Sequence, residues 1–117
     1  MKPSVRAAIA AIASAHSGDN NVGSVYSHSE SSRRTITVTV NGSSVTSYDH
    51  ESGCHINGSL PSLYHYGVGA HITLNPRGDG SYDGYDYDTG SHFTVSVSGH
   101  MVQIYDHGES SNFAYSA

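Results

Sequence analysis

Residues 48–56 read YDHESGCHI, and the same pattern returns as YHYGVGAHI at 64–72 and as YDYDTGSHF at 85–93. In each copy a glycine follows the tyrosine by five positions, a histidine by seven, and an apolar residue by eight. Fainter copies begin at Tyr105 (YDHGESSNF) and Tyr26 (YSHSESSRR), so the pattern recurs every 16 to 22 residues. This spacing matches one β-hairpin and its return, and it predicts a series of repeated hairpins.

The repeated glycine predicts the type of loop. Gly53, Gly69 and Gly90 each suit the left-handed position that ends a three-residue hairpin loop. Asn41-Gly42 and Ser98-Gly99 predict turns at the opposite ends of the strands. The resulting fold is mainly β, an up-and-down antiparallel meander of eight to ten strands. It either closes into a barrel or forms two packed sheets.

The predicted loop also fixes which residues face each other. A three-residue loop centred on Ser52 places Tyr48 opposite Ile56 and Asp49 opposite His55. We therefore expect the motif tyrosines to be buried against apolar partners, with the Asp and His row on the other face. Simple alternation puts Val45 on the face opposite Tyr48, so this register needs a β-bulge or two covered faces. The tyrosines expected in the core are Tyr48, Tyr64, Tyr85 and Tyr105, opposite Ile56, Ile72, Phe93 and Phe113.

The N-terminal segment predicts a helix over residues 3–16. Pro3 suits the first helical turn, and Gly18 suits the C-terminal cap. A narrow apolar face at helical spacing should cover part of the sheet; its members are Val5, Ala8, Ile9 and Ile12. With the hairpin repeats over 21–117, the helix is expected to form one domain spanning 1–117.

A second, longer repeat indicates an internal duplication. Residues 36–50 align without gaps onto residues 93–107, and both segments end in Tyr-Asp-His. Most of the valines and the turn glycine also match. We expect the two hairpins to superpose, with His50 and His107 in equivalent environments.

Composition argues against two classes of partner. The formal net charge is -5, and the five Lys and Arg residues are scattered. Nucleic acids bind clustered basic residues, so a nucleic-acid partner is excluded. No apolar run has the length of a membrane span. Protonation of the nine histidines would reverse the net charge, so association should depend on pH.

The cellular compartment is left open by two conflicting signals. Cys54 is the only cysteine, so an intrachain disulfide is excluded and a reducing, cytoplasmic location is slightly favoured. However, Lys2 and Arg6 precede the apolar stretch 7–13, and Ala13-Ser14-Ala15 resembles a signal-peptide cleavage site. A secreted or periplasmic location is therefore an alternative.

Four residues of the types that bind zinc surround the first motif turn: Asp49, His50, Cys54 and His55. Their spacing fits no established zinc pattern, and similar residues at every turn favour a structural role in the loop backbone. The acidic segment 79–88 could supply oxygen ligands to calcium, although it lacks the EF-hand spacing. Its carboxylates are Asp79, Asp83, Asp86 and Asp88.

Two classes of function remain. Repeated hairpins multiply a surface, which favours a non-enzymatic module that binds a protein or glycan partner through exposed rings. The rings expected to be exposed are Tyr66, Tyr82 and Tyr87. The alternative is a metal-dependent or acid-base hydrolase that uses the Asp, His and Cys residues of the turns. Further groups for acid-base chemistry and anion stabilisation would be Glu30, Glu51, Glu109, Arg33, Arg34 and Arg77.

Overall fold

The computed structural model describes residues 1–19 and 21–117 and contains one helix and one eleven-stranded antiparallel sheet. The helix α1 spans Pro3–Gly18. The strands are β1 (Val25–Ser27), β2 (Ser32–Arg34), β3 (Ile36–Asn41), β4 (Ser44–Asp49), β5 (Cys54–Ser59), β6 (Ser62–His65), β7 (Ala70–Gly78), β8 (Ser81–Asp86), β9 (Ser91–Ser98), β10 (Met101–Asp106) and β11 (Ser111–Ser116). The meander is confirmed, with eleven strands rather than eight to ten.

The sheet is nearly closed into a barrel. Its order is β2-β1-β11-β10-β9-β8-β7-β6-β5-β4-β3, so the first strand of the chain lies beside the last. Across the remaining gap, Val22 and Val38 exchange two backbone hydrogen bonds of 3.1 and 2.8 Å. The barrel is therefore the correct alternative, and the two-sheet packing is excluded.

Helix α1 fills the interior of this barrel. Every residue from Val5 to Ala15 is buried. The helix contacts β1 near one end of the sheet order and β3 and β4 at the other, as well as β9 and β10. Alanines keep the helix thin, so the surrounding wall packs against it on all sides. The expected single apolar face is thus wrong, and the helix ends in a left-handed residue at Asp19 (φ 50°).

The motif loops contain four residues, one more than predicted. Asp49 pairs with Cys54, which leaves His50 to Gly53 as the loop. Gly53 occupies the left-handed position as expected (φ 66°), and its N–H donates to the Asp49 carbonyl at 2.8 Å. Tyr48 therefore pairs with His55 instead of Ile56. A shift of one residue moves each side chain to the other face.

The predicted burial of the motif tyrosines is accordingly wrong. Tyr48, Tyr64, Tyr85 and Tyr105 are half-buried on the outer face of the barrel. Val45 points inward, so the regular alternation of β4 needs no bulge. The residue after each tyrosine faces the interior instead and is almost completely buried; these residues are Asp49, His65, Asp86 and Asp106.

These inward side chains hold the turns that follow them. In each case the side chain accepts backbone N–H groups two or three residues further on, as in an Asx turn. Asp86 accepts the N–H of Asp88 at 2.9 Å, and Asp106 accepts that of Gly108 at 2.9 Å. Asp49 accepts the N–H groups of Glu51 and Ser52, at 3.0 and 3.3 Å. The structural role of the repeated acids is therefore to cap the turns.

The two hairpins of the proposed duplication share one register. Ile36 pairs with Asp49 in the first, and Phe93 pairs with Asp106 in the second. Both turn glycines are left-handed, at φ 65° for Gly42 and 59° for Gly99. Equivalent positions thus have equivalent pairing, whereas duplication as their origin stays a prediction.

Candidate functional site

Aromatic rings form a band around the outer wall near the capped turns. Tyr85 is typical: it packs edge-on against Tyr87 and His92, with both ring centroids 4.6 Å away. The same arrangement surrounds Tyr48 and Tyr64, and half of it surrounds Tyr105. We call this band the aromatic belt; it comprises Tyr48, His50, His55, Tyr64, Tyr66, His71, Tyr85, Tyr87, His92, Tyr105 and His107.

The repeat itself builds the belt. A four-residue loop places the tyrosine opposite the histidine seven positions later, as for Tyr85 and His92. The residue two positions after the tyrosine begins the loop on the same outer side. Edge-to-face packing suits such rings because the positive edge of one meets the negative face of the other. Tyr48, Tyr64 and Tyr85 are therefore each held between two aromatic neighbours and lose little freedom when a ligand binds.

A groove of about 620 Å³ lies on the outer wall across β7 to β10. Its volume falls within the usual range for small-molecule sites. One end is aromatic and the other carries amide, carboxylate and hydroxyl groups. We call it the outer groove; its outward side chains are Thr73, Asn75, Asp83, Tyr85, His92, Thr94 and His107. A second depression of about 580 Å³ shares Thr73 and continues past Tyr87 and His71.

The carboxylate of the outer groove is paired. Arg77 donates from Nε and Nη2 to the two oxygens of Asp83, at 2.8 and 3.1 Å. These hydrogen bonds lower the pKa of Asp83 and raise that of Arg77. Asn75 donates from Nδ2 to the Asp83 carbonyl at 3.3 Å. Because the Arg77 guanidinium pairs with the Asp83 carboxylate, the groove offers polar groups with little net charge.

Two of the three tyrosines predicted to be exposed are so. Tyr66 and Tyr87 expose 60% and 59% of their surface, and both belong to the belt. Tyr82 is a correction, because it is only 4% exposed and points into the barrel. Its Oη lies 2.6 Å from His16 Nδ1, and burial raises the pKa of this phenol. The Tyr82 side chain points inward because side chains alternate along β8, which places Tyr82 and Tyr85 on opposite faces.

The predicted metal ligands are separated by the wall of the barrel. Asp49 and Cys54 face inward, whereas His50 and His55 pack edge-on against Tyr48 on the outer face of the barrel. Within residues 1–19 and 21–117, no group of three or more His, Cys, Asp or Glu could hold a metal ion. The calcium hypothesis meets the same difficulty, because Asp83 points outward and Asp86 inward.

The residues of the hydrolase alternative do not converge. Glu30, Glu51 and Glu109 occupy three separate exposed turns. Cys54 is buried, and burial together with the nearby Asp49 carboxylate raises the pKa of its thiol. A neutral thiol is a poor nucleophile, so this cysteine is unsuited to covalent catalysis.

The polar half of the outer groove was missed at the level of sequence. Thr73, Asn75 and Thr94 belong to plain alternating strands, and only the correct register brings them beside Tyr85.

Neither a scan of protein-family models nor searches of curated proteins and of solved structures finds a match for this chain. Among the described residues, no helix is long and apolar enough to span a membrane.

Proposed function

We propose that this protein is a non-enzymatic binding module that takes a neutral glycan in the outer groove. The observation that carries the proposal is the combination of a firmly held aromatic ring with adjacent hydroxyl, amide and imidazole groups in one open groove. A sugar presents C–H groups on its faces and hydroxyls at its edge. Tyr85 suits the faces, and Asn75, Asp83 and Thr94 suit the hydroxyls.

The charge of the groove supports a neutral ligand over an anionic one. Arg77 already donates two hydrogen bonds to Asp83, so this guanidinium is not free to receive an anionic ligand. The second depression extends the surface past Tyr87, so the ligand is expected to be an oligosaccharide longer than one sugar.

The test is a screen of short neutral oligosaccharides on an array, followed by titration calorimetry with those that bind. We expect Tyr85→Ala to weaken binding about tenfold, because stacking on a single aromatic side chain contributes on the order of 1–3 kcal/mol where it has been measured for nucleobases. Tyr87→Ala should weaken binding of the longer oligosaccharides more than binding of the short ones. Both variants must remain cooperatively folded at the temperature of the titration.

Tyr48→Ala is the matched control. Tyr48 sits between two histidines as Tyr85 sits between Tyr87 and His92, but it lies on β4, outside the groove. Equal losses in the Tyr48 and Tyr85 variants would contradict the assignment of the groove. If neutral oligosaccharides fail to bind at all, the glycan proposal is wrong and a protein partner becomes the remaining choice.

A further inference from the structure

Among the four turns that follow Tyr48, Tyr64, Tyr85 and Tyr105, one is capped differently from the others. The side chain that closes the turn is an aspartate after β4, β8 and β10, but it is His65 after β6. Carboxylates ordinarily lose their charge only near pH 4, whereas imidazole gains a proton near pH 6.5. The four turns therefore share a geometry, but the side-chain atom that accepts the turn N–H groups keeps its free lone pair over a different pH range in the His65 turn.

The hydrogen bonds define the protonation state of His65. Its Nδ1 accepts the N–H of Gly67 at 3.1 Å and that of Val68 at 3.3 Å. A nitrogen that accepts carries no proton, so the neutral ring holds its proton on Nε2. Nε2 is buried without a hydrogen-bond partner among the described residues, and His65 as a whole is 1% exposed. The closed turn has no place for a second proton.

Charged and titratable groups face His65 from several elements: Asp49 at the end of β4, bound by Arg34; Cys54 at the start of β5; Asp86 at the end of β8; and Asp88 in the next turn, paired with Lys2. Burial lowers the pKa of His65, and the three carboxylates offset only part of this effect. Gly67 packs closely over both the imidazole and the Cys54 sulfur, so water has little access from the turn side.

We propose that the turn between β6 and β7 is an acid-sensitive latch, which opens when Nδ1 of His65 takes a proton from solvent. The proton removes the acceptor shared by Gly67 and Val68 and leaves three N–H groups pointing at one another. The turn carries Tyr66, which packs edge-on against Tyr64 with centroids 4.8 Å apart. Opening therefore changes the aromatic belt at this one position, while the aspartate-capped turns stay closed.

The sign of the pH dependence follows from proton binding. The open turn binds a proton that the closed turn excludes, so closure is complete above about pH 6.5 and weakens as pH falls. Each further pH unit of acidification should increase the opening equilibrium about tenfold.

The experiment is amide hydrogen exchange followed by NMR between pH 8 and pH 5, corrected for the intrinsic pH dependence of exchange. Below about pH 6.5, we expect the amides of Gly67 and Val68 to lose protection against exchange about tenfold per pH unit. The amides of Asp88 and Gly108, held by aspartates, should keep theirs. In His65→Asn, the amide oxygen accepts both N–H groups at any pH, so protection of the β6–β7 turn should become independent of pH.

His100→Asn is the control, because His100 is an exposed turn histidine at the opposite end of the strands and should leave the profile unchanged. Full protection of Gly67 and Val68 at pH 5 in the wild type, or an unchanged pH dependence in His65→Asn, would overturn the proposal. If His65→Asn does not fold, the imidazole nitrogens of the wild type give the answer directly. Their chemical shifts should report the Nε2–H tautomer at pH 8 and proton uptake in step with loss of the turn.

Discussion

The carboxylate of Asp106 links the N-terminal end of helix α1 to the wall of the barrel. Its Oδ1 caps the turn at Gly108, while its Oδ2 accepts from the Met1 amino group at 2.9 Å and from Arg6 Nη1 at 3.3 Å. Arg6 in turn lies over the Phe113 ring, 3.6 Å from its centroid. The carboxylate also faces the positive end of the helix dipole. One side chain therefore satisfies the turn and two buried cations.

Asp106→Asn should cost on the order of 3 kcal/mol of unfolding free energy, because it leaves Met1 and Arg6 as uncompensated buried charges. Urea denaturation at pH 7 measures this loss. The control is Asp83→Asn, which breaks an exposed ion pair with Arg77 and should have a much smaller effect. A loss for Asp106→Asn no larger than that for Asp83→Asn would contradict the role given to the buried pair.

The same carboxylate predicts a pH dependence of stability. Burial alone would raise the pKa of Asp106, but the Met1 ammonium and the turn amides lower it overall. A lowered native pKa stabilises the fold above the unfolded value near 4, and this stabilisation is lost as pH falls further. Acid denaturation curves should therefore show a loss below about pH 4 in the wild type that is reduced in Asp106→Asn.

At the scale of the hairpin, the sequence predicts the presence of each element better than its register. The glycine five residues after Tyr48, Tyr64 and Tyr85 correctly marks the left-handed position, which glycine adopts without strain. The sequence does not mark the length of the loop, because His50 suits either the end of a strand or the start of a loop. One misplaced residue reversed the faces of Tyr85 and Asp86, and it hid the outer groove. The conflict at Val45 was the signal that could have revealed the error.

The corrected faces can be tested with two neighbouring rings. Phe93 is buried in the core on β9, and Tyr85 is half-buried on the outer face of β8. Phe93→Ala should cost about 3–5 kcal/mol, as large aromatic truncations in cores do, whereas Tyr85→Ala should cost about 1 kcal/mol. Thermal and urea denaturation give both values. If Tyr85→Ala costs more than Phe93→Ala, the three-residue loop and its register would be correct instead.

At the scale of the whole molecule, closure of the barrel depends on contacts that local patterns do not specify. Tyr26 on β1 pairs with Ser116 on β11, and Val22 bridges to Val38. The sequence predicts an amphipathic helix because its few branched residues lie on one side. Alanine contributes little to that pattern, yet here it is what lets a helix fit inside a closed wall. Enclosure is a property of the assembled sheet.

A chain that lacks residues 1–20 should fail to form the barrel, because the side chains that fill its interior are gone. We expect residues 21–117 alone to show no cooperative thermal transition, and to regain one when a peptide of residues 1–19 is added. Near-ultraviolet circular dichroism of the tyrosines reports the packing. A peptide carrying Ile9→Asp and Ile12→Asp is the control and should not rescue. Native-like melting of the 21–117 fragment alone would show that the helix is dispensable.

The enclosed helix has a consequence for synthesis on the ribosome. The helix emerges before all eleven strands, and β1 must wait for β11, whose paired residues Tyr26 and Ser116 lie at opposite ends of the sheet-forming sequence. Throughout translation of the wall, an apolar helix and an unpaired edge remain uncovered. Nascent chains stalled before β11 should therefore bind chaperones and be cut readily by protease, and both properties should disappear together once the last strand leaves the exit tunnel.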